Sequence, residues 1–284
     1  MSFISKFHCS LFVALLSWAG LTMPLKAEEK PKIVIVIDDV GNSADDQVAV
    51  ELPGDVTLAF LPFTPHSRRL AELAHQQGKE VMLHMPMAAR AGNKLGEGAL
   101  TNEMGVAALQ QTLVKALASI PHVAGVNNHM GSELTESLPH MAWTMRVLRY
   151  YPLYFIDSRT TVYTCAQTVA EATGVPSLRR HVFLDNEEDE VAIERQFDKL
   201  LALAKRRGEA IGIAHPYPET IAVLQRRLAD LDAQGVELVP ASALVSEEAW
   251  AKRAASPLAP VAVELPQHLL ALLRQPERAA VLSL

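Results

Sequence analysis

The stretch that decides the fold is KIVIVIDDVG, residues 32–41. It is a run of apolar, mostly β-branched residues that ends abruptly at two adjacent carboxylates, Asp38 and Asp39. An unbroken apolar run of this kind indicates a central strand of a parallel sheet, buried on both faces. Because neighbouring side chains of an extended chain point to opposite faces, we expect the two acids to take different roles, one binding a metal and the other moving protons. The plainer alternative is a strand end whose Asp caps the next turn.

The amino-terminal region has the pattern of a secretory signal peptide. Lys6 and His8 precede an apolar run over residues 9–23, and an imperfect small-residue cleavage site follows at residues 25–27. The run is short against the stretch of about 20 residues that spans a bilayer, which favours a cleaved signal over an uncleaved anchor. We therefore expect residues 1–27 to be a signal peptide. The mature protein is then exported, to the periplasm, and has no stable membrane span.

The charge of the chain argues against a nucleic-acid partner. The formal net charge is −6 at pH 7, and residues 1–27 contain lysines but no acid, so the remainder is more acidic still. Acidity of this kind disfavours docking on anionic lipid or on a phosphate backbone. Of the two cysteines, Cys9 lies in the predicted signal, so Cys165 is left without a partner for an internal disulfide.

From residue 28 onward, short apolar runs alternate with longer segments of helical period. This order predicts a repeating β/α chain around a parallel sheet. Apolar stripes that stop before Gly78, Pro121, Gly208 and Gly235 predict four of the helices. The predicted strands are residues 33–37, 56–61, 81–83, 123–126, 153–156, 182–184, 211–214 and 236–239.

The repeating pattern covers residues 28–248, which is long enough for one large domain with its own core. The composition then changes to an Ala/Pro-rich sequence. We predict that residues 249–284 form a flexible tail, with docking of the short apolar segment 268–273 as the alternative.

Polar side chains follow directly on most of the predicted strands. The carboxyl ends of parallel strands carry the active sites of β/α sheets, so these side chains are expected to share one rim. A merely structural polar residue at the end of an apolar strand would need a buried partner. In strand order the residues are Asp38 and Asp39, then His84, then Asn127, Asn128 and His129, then Asp157 and Arg159, then Asp185, and finally His215.

One carboxylate with two imidazoles is a common way to hold a divalent ion of the zinc type while a position stays open for water. Asp39, His84 and His129 would supply such a set. Water on the ion becomes more acidic, and Asp38 is the candidate base that takes its proton. Hydrolysis of an amide or ester also needs an acid for the leaving group, a role that suits His215.

These motifs resemble the divergent polysaccharide deacetylase family, distant relatives of the NodB-type carbohydrate esterases, over residues 31–246. In that family the first strand ends in an Asp-Asp pair, one base and one ligand, matched here by Asp38 and Asp39. The His-rich second motif falls at His84, and the catalytic His of the last strand is matched by His215. The resemblance implies an α/β fold, a distorted (β/α) barrel of mostly parallel strands. It also implies removal of acetyl groups from N-acetylated sugars with a divalent metal, for which Zn²⁺ is the expected ion and another first-row metal the alternative.

The chain departs from the family pattern in two places. The typical second motif carries a further His four residues on, where this chain has Ala88, and His129 is the expected substitute. The Arg that normally steadies the base is also missing, and Arg159 is the expected replacement. Asp157 or Asp185 would orient the catalytic His. An Asp before Ser-Arg-Thr is, however, often just a turn or helix cap.

Two hypotheses of different classes follow. The first is an exported, metal-dependent hydrolase that deacetylates an N- or O-acetylated envelope glycan, including peptidoglycan. The second is a non-catalytic glycan-binding or scaffold protein on the same fold, which the two departures favour. A phosphoesterase is a third reading, because similar ligands serve that chemistry, but the motifs contain no obvious Arg/Lys phosphate clamp.

Overall fold

The described part of the chain, residues 29–90 and 94–255 of a computed structural model, is built around one curled sheet. The predicted signal peptide, and residues 256–284 of the predicted tail, lie outside the described residues. The strands of the described ranges are β1 Lys32–Val40, β2 Thr57–Phe60, β3 Glu80–Met87, β4 Val123–Met130, β5 Tyr154–Asp157, β6 Ser177–Arg179, β7 Val182–Phe183, β8 Glu209–Ala214 and β9 Glu237–Leu238.

The strands lie in the order β6-β5-β4-β3-β2-β1-β8-β7, with β9 beside β1, and each of the ladders between them is parallel. The two edge strands, β6 and β7, are joined by residues 180–181 alone, so the sheet must curl until its edges approach each other. The predicted fold class, an α/β protein with a distorted (β/α) barrel of mostly parallel strands, is confirmed. The sequence does not predict β6, because its three residues include an exposed Arg and no apolar run.

Helices connect most of the strands and cover the outside of the sheet. Two of the predicted stops, Gly208 after the helix Glu190–Arg207 (φ 89°) and Gly235 (φ 69°), are glycines with left-handed backbone, where a Cβ would be strained. None of the helices in the described ranges combines the length and hydropathy needed to cross a bilayer. The helices are α1 Gln47–Val50, α2 Ser67–Gln76, α3 Val106–Ser119, α4 Leu138–Leu148, α5 Ala166–Thr173, α6 Glu190–Arg207, α7 Pro218–Ala229 and α8 Glu247–Ala255.

The central strand β1 is buried on both of its faces, as its unbroken apolar sequence predicts. Ile33, Ile35 and Ile37 belong to the larger core, between the sheet and the helices. Val34 and Val36 belong to a second, smaller core inside the curled sheet. Alternation along the strand therefore directs the next even-numbered residue, the first Asp of the pair, toward the barrel interior.

The amino ends of the strands are closed by the last described segment of the chain. Glu80 at the start of β3 accepts hydrogen bonds from the Tyr154 hydroxyl (2.8 Å) and from the backbone N–H of Ser242 (3.1 Å). Trp250 of α8 packs on the inner core, and the Arg253 guanidinium donates to a backbone carbonyl of the domain. Residues 249–255, which were predicted to belong to a flexible tail, are therefore part of a helix that packs on the domain. The Ala/Pro-rich composition after residue 252 did not predict this docked helix, which forms because Trp250 packs on the core inside the curled sheet.

His181, in the linker between the edge strands, ties β7 to β8. Its backbone N–H donates to the carbonyl of Ile211 (2.9 Å), and its Nδ1 accepts the N–H of the same residue (3.0 Å). Only an unprotonated Nδ1 can accept this bond. Burial, together with the charges of Arg179 and Arg207, lowers the pKa of His181 from 6.5 to about 4.

This depressed pKa predicts a pH-dependent contribution to stability. The unfolded chain binds the proton near pH 6.5 and the folded chain only near pH 4, so the contribution is complete above pH 6.5 and is lost as the pH falls to 4. We expect the loss to be about 1 kcal/mol, since the ring is partly open to solvent. His181→Asn keeps an acceptor near the position of Nδ1 and does not titrate. Its free energy of unfolding, measured by urea denaturation, should therefore fall less between pH 6.5 and pH 4 than that of the wild type.

His75→Asn, at an exposed position on α2, is the control and should keep the wild-type slope. An identical slope for His181→Asn and the wild type would contradict the assignment.

Candidate functional site

The two carboxylates at the end of β1 face the same site, not opposite faces of the sheet. Asp39 has left-handed backbone (φ 60°), a conformation that Asp tolerates better than most residues, and the pairing of β1 with β2 shifts register between Ile37 and Val40. The bend turns both acids toward His84. Its Nε2 lies 3.6 Å from Asp38 Oδ2 and 3.1 Å from Asp39 Oδ1. The sequence expectation of strict alternation is wrong here because the strand is no longer extended at Asp39.

Three side chains from three strands bring one ligand atom each to a common point. Asp39 Oδ1 lies 2.8 Å from His129 Nδ1 and 3.1 Å from His84 Nε2, and the two nitrogens are 3.2 Å apart. Ligand atoms at 2.0–2.2 Å from a zinc-type ion are separated by roughly 3.0–3.5 Å, so the cluster has about the size of a coordination face. Asp39 Oδ1 is also buried, and although the two imidazole nitrogens lie close to it, no donor of the described residues meets it with good hydrogen-bond geometry. Asp39, His84 and His129 therefore fit a divalent ion.

The electrostatics of this cluster favour a cation. Burial alone would raise the pKa of Asp39, but the imidazoles of His129 and His84 outweigh it and hold the pKa well below its ordinary range. Burial lowers the pKa of His84, and the carboxylates of Asp38 and Asp39 outweigh that effect and raise it. The carboxylates thus attract positive charge to this point. A divalent ion would supply that charge in place of protons on the imidazoles.

Asp38 is more deeply buried than Asp39, with 3% of its surface exposed. Burial raises the pKa of Asp38, and the opposing effects of His84, His215 and a hydrogen bond from Asn127 do not cancel it. A carboxylate with a raised pKa is a stronger base than one in water. It lies beside the proposed ligands without being part of the three-atom cluster.

Asn127 is a site residue that sequence reasoning placed at the rim but gave no role. Its side-chain N–H donates to Asp38 Oδ1 and its carbonyl oxygen lies against His84 Nδ1, both at 2.7 Å. The available signal was its position directly after an apolar strand. The register that makes it the cross-strand neighbour of His84 could not be read from the sequence.

His215 lies on the other side of the carboxylates, with Nε2 at 3.9 Å from Asp39 Oδ2. Its Nδ1 is 3.1 Å from Asp185 Oδ1, and the buried Asp185 also accepts hydrogen bonds from the backbone N–H of His215 and from Thr220. Burial lowers the pKa of His215, but the hydrogen bond and charge of Asp185, with the charges of Asp38 and Asp39, raise it to about 9. At neutral pH the ring is a cation that can release a proton at Nε2.

Of the two acids predicted to orient the catalytic His, the structure brings Asp185 to it and places Asp157 elsewhere. Asp157 Oδ1 accepts the backbone N–H of Arg159 (2.8 Å), and Oδ2 accepts the hydroxyl of Thr164 (3.0 Å). Asp157 therefore organises the loop after β5, which is the alternative role, as a turn cap, that the sequence also allowed. Its carboxylate is occupied by the turn that begins at the next residue.

The guanidinium of Arg180, which sequence reasoning did not single out, holds the loop that contains the predicted Arg159. Arg180 donates from Nε to the carbonyl of Ser158 (2.6 Å) and from Nη2 to the carbonyl of Arg159 (2.8 Å), and its charge interacts with Asp38. Arg159 has left-handed backbone (φ 51°) within the turn held by Asp157, and it takes part through its backbone. The sequence gives no signal for Arg180, because its position depends on the linker that crosses between the edge strands.

Aromatic rings form one wall beside the imidazolium. The rings of Phe183 and Tyr217 lie 5.5 Å and 5.4 Å from that of His215, measured between centroids. Arg180 stacks on Phe183 at 5.0 Å. Exposed or partly exposed aromatic faces beside polar groups are suited to the apolar faces of sugar rings.

Comparisons with known proteins identify the family of the chain and proteins with a similar fold. A family model described as divergent polysaccharide deacetylase matches residues 35–245. The uncharacterized protein YibQ of Escherichia coli K12 is 38% identical over 237 residues, which cover 83% of this chain and 72% of YibQ. An uncharacterized protein of Haemophilus influenzae is 36% identical over 209 residues, 73% of this chain and 74% of its own. The crystal structure of the uncharacterized protein ATU2773 from Agrobacterium tumefaciens C58 superposes with a TM-score of 0.74 at 28% identity, covering 78% of this chain and 92% of that one.

The three-atom cluster predicts one divalent ion per chain, with His129 as a ligand. His129→Ala should weaken binding of Zn²⁺ at least about 100-fold, because residues that only orient a metal ligand are already worth about 10–100-fold. Binding is measured by competition with a chromophoric chelator. His75→Ala, which removes an exposed imidazole from α2, is the matched control and should bind as the wild type does. Equal affinities for His129→Ala and the control would remove His129 from the ligand set.

Proposed function

Because the chain belongs to the divergent polysaccharide deacetylase family, we propose that it is an exported hydrolase that uses a divalent metal, zinc, to remove acetyl groups from an N- or O-acetylated envelope glycan. One observation carries the proposal. Three side chains with the spacing of metal ligands lie at the same rim as a buried carboxylate with a raised pKa and an imidazole with a pKa of about 9. A base and an acid on either side of an electrophilic centre is the arrangement that amide and ester hydrolysis needs.

Asp39, His84 and His129 would hold the ion. Nitrogen and oxygen donors of this number suit zinc, and leave positions open for water and substrate. When bound, the ion supplies Lewis acidity, which polarises the acyl oxygen and makes water more acidic.

Asp38 accepts the proton of the attacking water. Its carboxylate is buried beside the ligands, and burial keeps its proton affinity above that of an exposed Asp. The Asn127 hydrogen bond occupies Oδ1, so Oδ2, which faces the His84 ring, is the oxygen left for the proton.

His215 donates a proton to the leaving group. The Nε2 proton passes to the sugar nitrogen or oxygen as its bond to the acyl carbon breaks, which yields acetate and a free amine or hydroxyl. Asp185 holds Nδ1 and stabilises the charged ring before the transfer. Phe183 and Tyr217 flank the ring, where they would pack on the sugar.

The substrate class and the location have separate supports. The family description supports an acetylated polysaccharide, and peptidoglycan is the acetylated envelope polymer that an exported enzyme would meet. The signal-like pattern of residues 1–27 supports export to the periplasm. The acidic chain supports a substrate that is not a polyanionic nucleic acid.

The proposed base is tested by Asp38→Asn, which keeps the shape of the side chain and cannot accept the proton. We expect acetate release from N-acetylglucosamine oligomers or peptidoglycan, assayed with Zn²⁺ added and with a chelator, to fall about 10²–10⁴-fold while Zn²⁺ binding is retained. Asp198→Asn, on the surface of α6, is the charge-matched control. Unchanged acetate release would remove Asp38 as the base. Glycan binding by a wild type that releases no acetate would favour the binding-protein hypothesis.

The orienting role of Asp185 gives a second prediction. Asp185→Asn removes the negative charge that holds His215 protonated, so acetate release should fall about 10–100-fold. Zn²⁺ affinity should stay within about threefold of the wild type, because Asp185 contacts none of the three ligands. Loss of metal binding in this variant would show that Asp185 acts on the whole site and not through His215.

A further inference from the structure

Asn127 lies at the centre of the site and belongs neither to the ligand set nor to the proton-transfer pair. Its side chain is completely buried. It makes two side-chain hydrogen bonds of 2.7 Å, one to Asp38 on β1 and one to His84 on β3, from its own position on β4. One amide group thus bridges a proposed ligand on the neighbouring strand and the proposed base on the central strand.

The chemistry of an amide fixes the direction of both bonds. The NH₂ group can only donate and the oxygen can only accept, so with NH₂ at the Asp38 carboxylate the oxygen must accept from Nδ1 of His84. With Asp38 ionised, the state in which it serves as a base, a reversed amide would place two oxygens 2.7 Å apart with no proton between them. With its proton on Nδ1, a neutral His84 presents the lone pair of Nε2, and that atom faces Asp39 and His129.

We propose that Asn127 is a positioning residue that selects the metal-binding tautomer of His84 and, with the same amide, fixes the carboxylate of Asp38 beside it. The part that concerns His84 stands on the cluster geometry alone. The part that concerns Asp38 rests on the proposed function. The single amide keeps the ligand and the base in one relative geometry.

Asn128, the next residue on the same strand, makes different hydrogen bonds and therefore provides a control. Asn128 is also buried, but it donates to the carbonyl of Met130 (2.7 Å) and accepts the backbone N–H of Ser158 (2.9 Å). It therefore joins two loops and touches neither His84 nor Asp38 through the bonds of its side chain. Asn128→Asp introduces the same charge one residue away, so any effect that it shares with Asn127→Asp is an effect on the fold.

Two substitutions at position 127 separate the two halves of the proposal. Asn127→Leu has nearly the same size and makes neither hydrogen bond. Asn127→Asp keeps an oxygen to accept the His84 proton but cannot offer an N–H to Asp38, which it also repels. Zn²⁺ affinity is measured by chelator competition, the coordination geometry by the visible spectrum of the Co²⁺-loaded protein, and folding by thermal denaturation.

We expect Asn127→Leu to bind Zn²⁺ about 10–100-fold more weakly than the wild type and to change the Co²⁺ spectrum. Asn127→Asp should bind Zn²⁺ within about threefold of the wild type, while its kcat for acetate release falls at least about tenfold. Wild-type metal affinity in a folded Asn127→Leu would overturn the His84 half. Wild-type kcat in Asn127→Asp would overturn the Asp38 half.

Failure of the proposed function is distinguishable from failure of this inference. If the wild type releases no acetate from any acetylated glycan, the deacetylase proposal fails, yet the metal affinities and the Co²⁺ spectra still decide the role of Asn127 toward His84. If Asn127→Leu does not fold, Asn127→Asp against Asn128→Asp decides the role toward Asp38.

Discussion

The site depends on one electrostatic constraint: two adjacent carboxylates are buried at the end of the central strand, and their charge must be compensated there. Asp38 is almost inaccessible, and Asp39 has a buried oxygen that no donor of the described residues meets with good hydrogen-bond geometry. Removing an ionised carboxylate from water costs on the order of several kcal/mol unless partners replace the water. Three imidazoles and one amide converge on the pair. Charge compensation, and not packing, therefore explains why polar side chains gather inside an otherwise apolar barrel.

Much of this arrangement follows from general rules that can be applied to the sequence alone. An unbroken apolar run must be a doubly buried strand, and alternation along it sends Asp38 into the interior beyond Val34 and Val36. In a parallel sheet the carboxyl ends of the strands share one edge, which brings residues as distant as His84 and His215 to the same rim. These rules require only the order of the strands and helices along the chain, and the hydrophobic pattern predicts that order.

The rest depends on torsion angles and on loops, which a pattern does not encode. A single left-handed residue, Asp39, reverses the expected alternation at the point where it matters most. Arg180, in the linker between the edge strands, donates to the loop after β5, and the carboxylate of Asp157 accepts hydrogen bonds from that same loop. Trp250 decides the docking of α8 through one apolar contact. Each of these outcomes depends on a few hydrogen bonds or on the packing of one ring, and the hydrophobic pattern of the sequence does not encode such contacts.

The second histidine that the family resemblance implies is absent, and the residue at that position, Ala88, has a structural task instead. Ala88 donates its N–H to the carbonyl of Leu100, and its own carbonyl accepts the N–H groups of Glu133 and Leu134. That position thus joins the loop after β3 to the loop after β4. His129 is the cross-strand partner of Pro86, at the same level of the sheet, so its ring meets His84 edge-on with centroids 5.0 Å apart. The two candidate histidine ligands then project from strands that are paired with each other, and Asp39 projects from the bend at the end of β1. A site on such a frame is already close to its bound geometry, so little conformational entropy remains to be lost when an ion binds.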